Sequence, residues 1–235
     1  MPDDIAALSA AYEALPPEDV LARAIGRDFP GRIALASSFG ADSVVLLHML
    51  ARAAPATPVL FNETGMLFAE TLSYQREVAA MLGLGDLRHV RPDEEEIALH
   101  DPTGTLHREE ADLCCHLRKT RPLERALQPF SAWITGRKRV QTGTRADLPM
   151  AARDGAGRVR INPLADWDRD DLRAYMRTHH LPAHPLTATG YRSIGCAPCT
   201  TPVAAGENDR AGRWRGMAKT ECGMHVADGR PQRRV

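Results

Sequence analysis

The placement of five cysteines constrains this chain of 235 residues more than any other feature. Cys114 and Cys115 are adjacent, Cys196 and Cys199 form a C-x-x-C, and Cys222 stands alone inside Glu221-Cys222-Gly223-Met224-His225. Four thiolates in two close pairs can close one tetrahedral site for a soft metal. A directly adjacent pair is unusual for structural zinc, and an iron–sulfur cluster held by four thiolates is the other main reading. The fifth cysteine is then left over. A leftover thiol between an acid and a histidine is a candidate nucleophile.

Clustered thiols suggest metal or catalysis where the surroundings are reducing, and the rest of the sequence points to such surroundings. The start, Met1-Pro2-Asp3-Asp4, is acidic and unlike a signal peptide, and the longest apolar run, around Val44 to Met49, is too short to span a bilayer. The expected location is the cytoplasm. With 43% hydrophobic and 26% charged residues the chain can bury a sizeable core. Its formal net charge of +0 gives no bulk electrostatic case for nucleic acid or an anionic membrane. Lysine occurs only at 119, 138 and 219, and arginine supplies every other strongly basic side chain, so these lysines mark candidate sites for a compact point charge.

The apolar pattern alternates between the two periods. Residues 4–28 read as helical, with Pro16-Pro17-Glu18-Asp19 starting a second helix. Arg32–Ser37, Thr57–Phe61, Leu87–Val90, Ala132–Gly136 and Val159–Ile161 read as strands. Helices are expected from the loop at 37–43 to about Ala53, over Leu67–Leu82, over 112–128 and over Asp168–His179. This order predicts an α/β fold, a doubly wound parallel sheet covered on both faces. From Leu181 helical periodicity is lost, and a long irregular stretch needs something to order it. A metal clip at Cys196 and Cys199, or an anion bound at the arginines, supplies a reason. The expected division is an α/β nucleotide- and cluster-binding domain at 1–205 and a mobile C-terminal segment at 206–235.

Anion-binding chemistry recurs at the expected strand ends. Ser37, Ser38, Gly40 and Ser43 offer hydroxyls and backbone N–H groups beside a helix N-terminus. The loop is neither a Walker A nor a G-x-G-x-x-G, and by itself a capped turn explains it too. Asn62–Thr71 is a weaker polar turn past the second strand. Lys119 lies about one helical turn past Cys115, within reach of both a cluster and an anion. The basic stretch from Gly136 through Arg139 to Arg145 suits phosphate or sulfate, and Arg210 with Arg213 forms a candidate anion fork. Lys219 and His225 are placed to lower the thiol pKa of Cys222 from its ordinary ~8.5.

In this order the segments resemble the sulfonucleotide reductases, the adenylyl-sulfate and phosphoadenylyl-sulfate reductase family, over residues 30–225. The most specific stretches are Cys114-Cys115 with Arg118-Lys119-Thr120-Arg121-Pro122-Leu123, Gly190-Tyr191-Arg192-Ser193-Ile194-Gly195-Cys196-Ala197-Pro198-Cys199-Thr200, and Lys219-Thr220-Glu221-Cys222-Gly223-Met224-His225. The loop at 37–43 resembles the PP-loop of the adenine-nucleotide α-hydrolase-like group, with Ser38-Phe39 in place of Ser-Gly. Lys138 stands where the family's basic loop has arginine, and Asn62-Glu63-Thr64-Gly65 replaces Asp-Thr-Gly.

The resemblance implies the family branch that carries a [4Fe–4S] cluster, held here by Cys114, Cys115, Cys196 and Cys199, and that prefers adenylyl sulfate (APS). It implies Cys222 as the catalytic cysteine, which takes the sulfonyl group, releases AMP and is cleared by an external dithiol. The expected substrate-binding set is Ser37, Ser38, Phe39, Gly40, Thr64 and Gly65, then Lys119, Gly136, Arg139, Arg145, Arg210, Arg213 and His225. With four cysteines committed, Cys222 has no internal resolving partner, so thioredoxin or glutaredoxin is the expected partner. The preference ratio for APS over its 3′-phosphate (PAPS) and any homo-oligomer are left open. Two other classes compete: an ATP pyrophosphatase that adenylates its substrate, and a non-catalytic zinc-stapled module. The first wants an intact S-G-G-x-D-S, and the second leaves Cys222 and the anion loops unexplained.

Overall fold

The protein is described by a computed structural model covering residues 4–217, 219 and 221. Two short helices, α1 (Ile5–Glu13) and α2 (Pro17–Arg23), lead into β1 (Ile33–Ser37) and α3 (Ser43–Ala53). Next come β2 (Val59–Asn62), α4 (Ala69–Leu82) and β3 (Leu87–Val90). Helices α5 (Glu94–His100), α6 (Leu106–Glu109) and α7 (Ala111–Cys115) follow. A π-helical turn, His116–Thr120, joins α7 to α8 (Arg121–Leu127). The chain then forms β4 (Ala132–Ile134), β5 (Ala151–Arg153), β6 (Val159–Ile161) and α9 (Arg169–Thr178).

The sheet order is β3-β2-β1-β4-β6-β5. All neighbours run parallel except β5, which pairs antiparallel with β6. The expected doubly wound fold is therefore correct with one amendment, an antiparallel edge strand in what the sequence presents as loop. β5 is Ala151-Ala152-Arg153, with none of the β-branched or aromatic side chains that mark the equally short β4 and β6. A local turn makes it, in which the Asp154 carboxylate accepts from the N–H groups of Ala156 and Arg158, and Gly157 takes φ 80.

Strand alternation sorts the core onto two faces. Ile33, Leu35, Val59, Phe61 and Ile134 pack on one side with Val44, Leu47 and Leu50 of α3. Ala34, Leu60 and Trp133 point the other way, onto Leu123 and Leu127 of α8. β1 pairs with β2 on one side and β4 on the other, so the strand order reverses between β1 and β4. Such a reversal opens a crevice at the strands' carboxyl ends, and the loops after β1 and β4 face each other there.

Candidate active site

The cleft in that crevice is lined by Ser37, Ser38, Gly40 and Ser43 from the β1 loop and by Thr135, Gly136, Arg137 and Lys138 from the β4 loop. Lys119, Arg145, Ser193–Gly195, Arg210, Arg213, Trp214 and Glu221 complete its walls. Ser37 Oγ accepts the Phe39 N–H at 3.1 Å, folding the loop tightly. A Cβ on Gly40 would lie 3.1 Å from the Ile194 carbonyl oxygen, so this glycine lets the C-terminal loop close onto the β1 loop. Asp42 precedes α3 but does not cap it; its carboxylate takes the Lys138 ammonium at 3.2 Å instead.

Four residues expected at the substrate stand elsewhere. Phe39 has φ 48 and a fully buried ring, stacked edge-on against Phe61 at 5.2 Å. It shapes the loop from below and does not line the cleft. Arg139 turns outward, because Glu13, Asp166 and the Leu148 carbonyl satisfy its guanidinium there. Its neighbours Arg137 and Lys138 face the cleft in its place. Thr64 and Gly65 belong to the cysteine region: Thr64 Oγ1 lies 3.2 Å from Cys196 Sγ, and Arg118 donates to the Thr64 carbonyl at 3.2 Å.

Lys119, Arg137, Lys138, Arg145, Arg210 and Arg213 surround the cleft, against the carboxylates of Asp42 and Glu221. Burial, with Arg160 and Arg145 nearby, pushes the Arg137 guanidinium down to about 9. Among the described residues its Nε and Nη1 have no hydrogen-bond partner, nor do Nε of Arg145 and Nε of Arg213. Buried cationic donors without a partner beside a cleft call for a counter-charge. Burial disfavours the Glu221 charge, yet Arg145 and Arg210 hold its carboxyl below the ordinary carboxylate range.

The four expected ligand cysteines lie in two adjoining buried clusters beside the cleft, Cys115, Cys196 and Cys199 in one and Cys114 in the other, with Met66 packed against both. All are buried, and among the described residues none is in a disulfide. Cys114 and Cys115 end α7, and Cys196 is tied to the 64–66 turn by an Ala197 N–H to Met66 carbonyl bond of 2.8 Å. Trp214 covers Cys115, Cys196 and Cys199, while Cys114 sits with Leu106 and Leu117. Among the described residues no three His, Cys, Asp or Glu side chains form a ready metal-holding group. The donor set nevertheless fits a thiophilic centre. Burial pushes the Cys114 thiol up to about 11 and raises Cys199 as well, with the charges of Cys196 and Cys199 adding to the effect at Cys114. Lys119, Arg213 and Lys219 act on Cys199 in the opposite sense, and Arg118 does the same at Cys114.

Between the cysteines and the cleft stands the indole of Trp214, 2% exposed, with Arg213 stacked 4.4 Å from its centroid and Arg210 and Lys219 over the ring at 5.8 and 5.7 Å. Cys222 and His225 lie outside the described residues. Sequence reasoning missed Arg137, Asp42, Trp214 and Glu221 as cleft residues, and the buried Asp101–Arg118 pair behind the cysteine helix. A tryptophan directly after Arg213, in a run otherwise polar, is the one signal that was available.

The profile of the phosphoadenosine phosphosulfate reductase domain matches residues 32–202. A Mesorhizobium japonicum protein named adenosine 5′-phosphosulfate reductase is 50% identical over 222 residues, covering 94% of this chain and 87% of that protein. A Gloeobacter violaceus protein named phosphoadenosine 5′-phosphosulfate reductase is 43% identical, covering 93% and 92%. The crystal structure of phosphoadenylyl-sulfate reductase from Candida auris superposes with a TM-score of 0.72 at 27% identity, covering 86% of this chain and 98% of that one. Candida glabrata FMN adenylyltransferase, at 16% identity and a TM-score of 0.56, covering 86% and 68%, shares the fold alone. Among the described residues no helix is long and apolar enough to cross a membrane.

Proposed function

The chain belongs to the phosphoadenosine phosphosulfate reductase domain family, and from that premise we propose that it is an adenylyl-sulfate reductase, releasing sulfite and AMP from APS in sulfate assimilation. The observation that carries the reading is the convergence of six cationic side chains on one switch-point cleft, beside four buried cysteines. The β1 loop and Gly136 line the adenosine end, and Lys119, Arg145, Arg210 and Arg213 take the phosphosulfate. Arginine and lysine donors fixed in place stabilise the charge that grows on the phosphate as the bond to sulfur breaks.

The thiolate of Cys222 attacks the sulfonyl sulfur. A sulfur–sulfur bond forms, the sulfur–oxygen bond to phosphate breaks, and AMP leaves with the electron pair. A thiolate of an external dithiol, thioredoxin or glutaredoxin, then attacks the Cys222 sulfur and expels sulfite. The second thiol of that partner resolves the mixed disulfide, so the dithiol supplies both electrons and Cys222 returns as a thiolate. Cys114, Cys115, Cys196 and Cys199 would hold a [4Fe–4S] cluster, which would order the neighbouring wall of the cleft. Trp214 keeps that wall dry, and Lys119 faces both sides of it.

The test is sulfite release from APS and from PAPS, side by side, by anaerobically purified protein with thioredoxin. Faster turnover of APS with AMP as product is expected. ATP-dependent adenylation without sulfite would overturn the reading.

A further inference from the structure

Glu221 is a carboxylate where an anion-binding cleft should not want one. Its side chain is 17% exposed and both of its oxygens are engaged. Oε2 accepts from Arg145 at 2.6 Å and from Arg210 at 3.4 Å, and Oε1 accepts from Thr142 at 3.2 Å. Thr142 and Arg145 belong to the loop between β4 and β5, whereas Arg210 follows the C-x-x-C. One carboxylate therefore ties the C-terminal segment to the far wall of the cleft.

The contact does not exhaust the donors facing the cleft. The cleft is also lined by Lys119, Arg137 and Arg213, which are not among the side chains that bind the Glu221 carboxylate. The substrate's phosphosulfate can be held on these while the carboxylate stays. The residue after Glu221 is Cys222, the proposed nucleophile.

We propose that Glu221 is a positioning residue: pinned by Arg145, Arg210 and Thr142, it fixes where the following cysteine meets the sulfonyl group. The proposal rests on the APS-reductase reading given above. It separates two jobs within one cationic wall, in which some guanidinium donors hold the substrate and others hold the chain that attacks it. Misplacing a nucleophile by about 1 Å costs on the order of a hundredfold in rate.

The experiment compares wild type with Glu221→Gln and Glu221→Asp. Single-turnover formation of the Cys222 S-sulfonate from APS is followed by mass spectrometry. AMP affinity is measured in the same proteins carrying Cys222→Ser. Glu221→Gln should slow sulfonation by roughly tenfold to a hundredfold, the loss of one charge-assisted contact, while AMP binds as tightly as before or tighter. Glu221→Asp should recover part of the rate. Hydrogen exchange over 206–221 without ligand should accelerate in Glu221→Gln. Sulfonation as fast as wild type, or unchanged exchange, overturns the proposal; a carboxylate that merely plugs the cleft would give tighter AMP binding with undiminished sulfonation. If wild type forms no adduct, the reductase reading is at fault, and the exchange data alone decide whether Glu221 anchors the segment.

Discussion

Replacing Asp101 by alanine would strand a guanidinium in the interior behind the cysteines. The Arg118 and Asp101 side chains are 8% and 1% exposed. Arg118 donates to Asp101 Oδ2 through Nη2 at 2.7 Å and through Nε at 3.3 Å, and Asp101 Oδ1 accepts the Leu106 N–H at 3.0 Å. Removing one partner of a buried pair costs about 3–5 kcal/mol, because the other charge stays buried without compensation. At about 2–4 °C per kcal/mol for a chain of this size, the melting temperature should fall by roughly 6–20 °C. The site should feel it too. Arg118 stands in the π-helical turn after Cys115 and holds the Thr64 carbonyl, and Thr64 touches Cys196. Asp101→Ala should therefore lower iron content along with stability. Asp101→Asn, which keeps the Leu106 contact, should lose less of both. A thermal melt and an iron assay on the anaerobic proteins decide it. A melting temperature within about 2 °C of wild type, a shift worth no more than one kcal/mol, would refute the idea that this pair holds the cysteine region together.

His184 is fully buried between Thr71 and Leu186, and burial pushes it down to about 4. Between about 4 and the unfolded value of ~6.5 only the unfolded chain takes the proton, so stability is complete above that window and falls by roughly 3 kcal/mol as pH drops through it; denaturation midpoints that stay flat across the window would contradict this. A Cβ at Gly195 would overlap the Arg213 guanidinium. Gly195→Ala should therefore weaken APS binding by about tenfold or more, as one lost charge-assisted contact of ~1.5–3 kcal/mol implies, and calorimetry showing unchanged affinity would count against it. Cys115→Ser and Cys199→Ser should lose iron, sulfide and activity, whereas a colourless, active protein with one zinc would remove the cluster from the account. Cys222→Ser should keep the iron and bind APS without forming an adduct, and an adduct found on a different cysteine in wild type would reassign the nucleophile.

Local chemistry was legible in the sequence by itself. The two cysteine pairs, the five parallel strands, the serine-rich loop after β1 and the basic loop after β4 are each written within a few consecutive residues. Spacing and period are all they need. The antiparallel β5 was hidden because Ala151-Ala152-Arg153 carries no β-branched or aromatic side chain, unlike the equally short β4 and β6. Direction was decided only in the folded chain. Arg139 leaves the cleft because Glu13 and Asp166, distant in sequence, arrive on the other side. Phe39 turns inward because Phe61 of the neighbouring strand offers it a ring. Glu221 enters the cleft because Arg145 and Arg210 converge there from separate segments. A side chain's residue type is a local property, but the partner that satisfies its charge or buries its ring is supplied by tertiary packing, and that partner sets which way it points.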